Sequence, residues 1–62
     1  MMDFDRWSYA IAEEYRNTVA YADDPPMTPR EVLHYLAERE GVTTARIVRA
    51  VRRWPDVGPK VS

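Results

Sequence analysis

The chain has 62 residues, no cysteine, and a net charge of −1 from nine basic and ten acidic side chains. That length holds one small domain of marginal stability and excludes a cofactor fold paired with a substrate domain. The missing cysteines exclude disulfides, Cys-ligated zinc and thiol chemistry, and the balanced charge argues against a generally basic nucleic-acid binder. A hydrophobic content of 45% is ordinary for a globular domain and too high for disorder. No apolar run approaches the ~18 residues a membrane span needs. The first residues, MMDFDRWSYAIAEEY, carry acids where a signal peptide carries bases. The expectation is a soluble, cytoplasmic, single-domain protein over residues 1–62.

The charge is divided unevenly. Residues 1–27 hold six acids against two bases, a net of −4; residues 28–62 hold seven bases against four acids, a net of +3. Between Thr43 and Trp54 there are four arginines and no acid. Such a division suggests a molecule with two different faces, or two halves that attract each other.

The first predicted helix runs from about Asp3 to about Ala22. Phe4, Trp7, Ile11, Tyr15, Val19 and Ala22 recur at three- and four-residue steps and form one apolar stripe. Asp3 is placed to cap it, and Asp5 suits the positive end of the helix dipole. Asn17 and Thr18 are weak helix formers, so an earlier end or a break near Asn17 is open from sequence. Residues 23–27 form a stiff connector, because the paired prolines of DDPPMTP cannot continue a helix.

The second helix, about 29–40, has the clearest start. Thr28 is the N-cap, Pro29 occupies the first helical position, and Glu31 completes a capping box. Met27 and Val32 are spaced as a hydrophobic staple. Val32, Leu33, Leu36 and Ala37 make the buried stripe, and Gly41 supplies a left-handed C-terminal cap. The third helix, about 44–54, is capped by Thr43 and stopped by Pro55. Ile47, Val51 and Trp54 form its stripe, with Ala50 beside it. Residues 55–62 read as a flexible tail. No alternating strand pattern occurs, so the fold class is all-α: a compact three-helix domain in which the first helix packs its Phe4–Trp7–Ile11 stripe over the other two.

The tight turn between the last two helices is the most informative feature. A sharp reversal needs a residue free to turn left-handed, which is Gly41. Close helix crossing needs a small residue four positions earlier, which is Ala37. An apolar plug follows the glycine as Val42, a hydroxyl cap as Thr43, and an apolar residue that packs back as Ile47. The string LAEREGVTTARIVRAV resembles the helix-turn-helix of bacterial and phage transcription regulators, over about residues 33–52. Glu40, where this motif is often apolar, and Ala50, where a larger branched residue is usual, depart from the pattern. Glu40 leaves part of the turn solvated, while the other positions of the motif hold.

The resemblance implies a second helix lying in the DNA major groove, its N-terminal residues facing base edges. On this chain the base-contact candidates are Thr44, Ala45, Arg46 and Arg49, since Arg donates bidentately to guanine and Thr contacts a base or a phosphate. Arg46, Arg49 and Arg53 fall on one helical face opposite the apolar stripe. Arg30, Arg52, Arg53 and Lys60 are phosphate-contact candidates. One helix supplies two or three good base contacts, which is thin for a regulator, so a dimer or a protein partner is expected. In size the chain resembles the small accessory factors of phage and plasmid recombination or regulation.

A second reading is a protein-interaction module without DNA binding, a small inhibitor or adaptor. Its surface would be the acidic first helix, with Tyr9, Glu13, Glu14, Tyr21, Asp23 and Asp24 facing away from the core. Nothing points to an enzyme. His34 is the one histidine and has no second ligand for a metal; the adjacent Glu13 and Glu14 point in different directions and cannot flank a substrate bond. No phosphate-binding glycine loop is present. No cofactor, metal or small-molecule substrate is therefore expected. Trp7 and Trp54 read as core anchors, and Tyr35 and Arg39 as a stacked pair one turn apart.

Overall fold

The computed structural model describes residues 3–59 and contains three helices: α1 (Phe4–Tyr21), α2 (Pro29–Glu40) and α3 (Thr44–Arg53). They form a compact all-α domain, with no strand among the described residues. No helix among those residues is long and apolar enough to cross a membrane.

Each helix starts on the side-chain cap its sequence provides. Asp3 accepts from the Asp5 N–H at 3.2 Å. Thr28 and Glu31 exchange both capping-box bonds, at 2.9 and 3.2 Å. The Thr28 N–H holds the Glu31 carboxyl below the usual carboxylate range. Thr43 accepts from the Arg46 N–H at 3.2 Å. At the far end of α2, Gly41 takes φ 69° and ψ 33°, and the Val42 N–H returns to the Ala37 carbonyl at 3.0 Å. A Cβ at Gly41 would touch nothing, so φ alone selects glycine there.

The core is small: Ile11 of α1, Val32, Leu36 and Ala37 of α2, and Ile47 and Ala50 of α3 are buried. Trp7, Tyr15, Val19, Met27, Leu33, Val42 and Val51 pack around them half-buried. The stripe expected of α1 is thus the one that packs, and it carries the helix through Asn17 and Thr18 without a break. Tyr15 and Val19 bracket that weak stretch and gain burial only if the helix continues.

Trp54 is the C-cap of α3, with φ −126°, and its half-buried indole is tied to α1: Nε1 donates to the Ser8 Oγ at 2.9 Å. Ser8, fully buried, in turn donates to the Asp5 carbonyl at 3.0 Å. One expectation needs correction, that of a flexible tail. Residues 55–59 are docked rather than free, because Arg16 of α1 reaches across to the end of α3. Its guanidinium donates to the carbonyls of Trp54 (2.5 Å), Val57 (3.0 Å) and Val51 (3.2 Å). Gly58, at φ 79°, lies so close to α1 that a Cβ would come within 3.1 Å of the Arg16 Cβ. The arginine adds donors to carbonyls at the helix end, of which Val51 also accepts from the Trp54 N–H (3.2 Å) and Trp54 from the Val57 N–H (3.3 Å), and its charge opposes the negative end of the α3 dipole.

Candidate nucleic-acid interface

The outer face of α3 is built from the residues its core face excludes. With Ile47 and Ala50 buried, Ala45, Arg46, Arg49, Arg52 and Arg53 are left exposed, and Thr44 and Val48 half-buried. An open groove of about 700 Å³ runs between the N-terminal half of α2 and α3. Arg30, Leu33 and His34 line one wall; Thr44, Ala45, Val48, Arg49 and Arg52 line the other. A shallower depression beside it is bordered by Val42, Thr43, Ala45, Arg46 and Arg49. Ala45 and Arg49 border both, so they stand at the centre of the outer face.

The arginines differ in what their guanidinium groups already touch. Arg30, Arg49 and Arg52 meet in the groove and make no side-chain hydrogen bond or ion pair with any described residue. Arg53 is paired with the Asp5 carboxylate and lies 5.9 Å from the Trp54 ring. Arg46 leans the same way, over the Phe4 and Trp7 rings at 5.4 and 5.6 Å. The single face expected of Arg46, Arg49 and Arg53 is therefore divided. Its ends turn toward α1, and Arg49 stands with Arg52 on the α2 side. The wheel positions of the three are as expected, but α1 offers an acid and two rings on its own side. Lys60 lies outside the described residues.

The acidic helix is also less free than its sequence suggests. Glu14 is engaged by Arg39 of α2, through Nη1 and, at 2.9 Å, Nη2. Tyr9 sets its ring edge against Trp54, centroids 5.3 Å apart, and remains 46% exposed. Glu13, Asp23 and Asp24 are exposed, and Tyr21 is 71% exposed. Tyr35 and Arg39 stack at 5.7 Å, as their spacing indicates.

Glu40 has a role its motif position concealed. It accepts from the Trp7 indole N–H at 2.9 Å and from the Arg39 Nε at 3.1 Å. Glu40, expected to leave part of the turn solvated, is half-buried and forms a polar tie between the end of α2 and α1. The Trp7 hydrogen bond, then Arg39, hold the carboxyl below its usual value near 4.5. A lowered carboxyl stabilises the fold above its unfolded pKa and loses that contribution as pH falls through the lowered value. Glu40→Gln keeps an acceptor for Trp7 but cannot titrate. Thermal melts of this variant should therefore lose less stability than the parent between pH 5 and acid pH. An unchanged difference across that range would remove Glu40 from the acid response.

A buried indole N–H requires an acceptor, and that requirement is the signal that marks Trp7 and Trp54 as tied. Arg16 is harder to read. Its clue is that Ser8, Ala12 and Arg16 follow at four-residue steps. Two small residues admit a close neighbour, and the long cation comes next on the same ridge. Among the described residues no group of His, Cys, Asp or Glu is arranged to hold a metal.

No protein-family model matches this chain, and no curated protein or solved structure matches it either.

Proposed function

We propose that this chain is a small double-stranded-DNA-binding protein that uses α2, the Gly41 turn and α3 as a helix-turn-helix. The observation that carries this reading is the cluster of Arg30, Arg49 and Arg52 along the α2–α3 groove. All three are without a side-chain partner among the described residues; Arg49 and Arg52 stand on α3, whose start the Thr43 cap fixes, and Arg30 stands in the first turn of α2. An arginine with no carboxylate partner is available to phosphate or guanine, and three lining one groove concentrate positive charge where a nucleic-acid backbone could lie. In this reading Ala45 and Arg49 face base edges, with Thr44 and Arg46 at the margin, and Arg30 and Arg52 hold phosphates. A second copy or a protein partner completes the affinity, as in a transcriptional regulator or an accessory factor.

The test is fluorescence anisotropy of the full chain against a random duplex pool at about 50 and 200 mM salt. Neutralising about four phosphates lowers affinity on the order of 10²-fold across that range. Absence of binding at the lower salt would remove the proposal. It would leave the protein-interaction reading, whose support is the exposed Tyr21 beside Asp23 and Asp24.

A further inference from the structure

We infer that Phe4 and Trp7 of α1 form a shelf that holds Arg46 ready to read a guanine, which makes the first helix part of the specificity apparatus. The inference rests on the DNA-binding reading above and adds to it two residues that lie outside the α2–α3 unit. It starts from how the chain's arginines are used. Arg16, Arg39 and Arg53 spend their N–H groups on carbonyls or carboxylates. Arg46 is held differently. Its guanidinium lies over two rings, 5.4 Å from the centroid of Phe4 and 5.6 Å from that of Trp7, and its side chain makes no hydrogen bond with a described residue. A cation–π contact of this kind uses the charge of the group rather than its N–H donors, and these make no hydrogen bond with a described residue. That edge is what pairs bidentately with guanine O6 and N7.

The shelf is itself fixed. The two rings meet at 5.9 Å with a 42° tilt, and the Trp7 N–H is anchored on Glu40 at 2.9 Å. Glu40 ends α2 and Thr43 starts α3, so the shelf, the turn and Arg46 form one linked unit. Arg46 stands beside Ala45 and Arg49 at the edge of the outer face. A free arginine loses rotamer freedom on binding a base; one already held against two rings loses less, and the saving favours the correct base over the phosphate backbone.

The experiment selects a preferred site from a random duplex pool with the full chain. It then measures affinity for that site and for a scrambled duplex. Phe4→Leu keeps an apolar side chain on the core margin and removes the ring. We expect the specific-to-scrambled ratio to fall about three- to tenfold in Phe4→Leu, with the salt slope unchanged. Phe4→Tyr should restore the ratio. Arg46→Lys, which leaves α1 untouched, should lose at least as much as Phe4→Leu and covers the case in which Phe4→Leu folds poorly. Without DNA, the Arg46 side-chain proton resonances should be displaced upfield by the rings and move back in Phe4→Leu. A wild-type ratio in Phe4→Leu alongside a lost ratio in Arg46→Ala overturns the shelf and leaves DNA reading standing. Ordinary Arg46 shifts in the free protein overturn it without reference to DNA. Failure to bind any duplex removes the proposed function and this inference together.

Discussion

Arg16→Ala is expected to cost about 2–3 kcal/mol and to release residues 55–59 from α1, because a single guanidinium serves three carbonyls there. Seven buried apolar residues, among the described residues, make a core that leaves a domain of this size about 3–5 kcal/mol of net stability. The substitution therefore removes about half of it or more. The midpoint of thermal unfolding should drop by about 10–20 °C, at about 4–8 °C per kcal/mol for a domain this small. Arg16→Lys should recover less than half of the loss. An ammonium is a point donor and cannot match the planar fork that spans the Val51, Trp54 and Val57 carbonyls. Limited proteolysis should then cut first after the end of α3. A loss below about 0.5 kcal/mol, with the tail still protected, would mean that water serves those carbonyls equally well.

Arg49→Ala should do the reverse: leave stability within about 0.5 kcal/mol and strongly weaken DNA binding. Arg49 is exposed, centred on the outer face of α3, and has no side-chain partner among the described residues to lose. A bidentate contact to a base is worth about 1–3 kcal/mol, so affinity for a selected site should fall by about fivefold to 150-fold. The contrast with Arg53→Ala sharpens the test. Arg53 is paired with Asp5 in an exposed ion pair, of a kind worth about 0–1 kcal/mol, and phosphate must compete with that carboxylate. Its removal should change binding less than that of Arg49. Equal, small effects at both positions in anisotropy titrations would show that the outer face of α3 is not the contact surface.

The two ends of α2 show what is readable locally. Thr28, Pro29 and Glu31 contribute a cap, a preset φ and a second cap within four residues, and Gly41 ends the helix by its φ. Such signals act through neighbouring residues, so no tertiary information is needed to read them. The charged residues show the opposite. Glu14, Glu40, Arg16 and Arg53 each find a partner at least 25 residues away or, for Glu40 with Trp7, 33 residues away. Periodicity says only that such a side chain lies off the core stripe. It does not say whether it meets water, an ion or a carbonyl. For that reason the acidic face of α1 loses Glu14 as a free group, the arginine face of α3 is divided, and residues 55–59 of the tail that looked free are docked.

The sequence by itself determined the three helices, their caps, the turn at Gly41 and the apolar stripes that meet in the core. These follow from backbone preferences and from the 3.6-residue period, which the chain carries in its order. The tertiary structure decided which charges are spent inside the fold and which remain for a partner. Packing α1 over α3 brings Asp5, Phe4 and Trp7 to one flank of α3, and Arg16 to its end. What that packing leaves open is the α2 side, where Arg30, Arg49 and Arg52 keep their donor edges. An arginine's availability depends on where carboxylates, carbonyls and rings fall in space, and only the folded chain sets those distances.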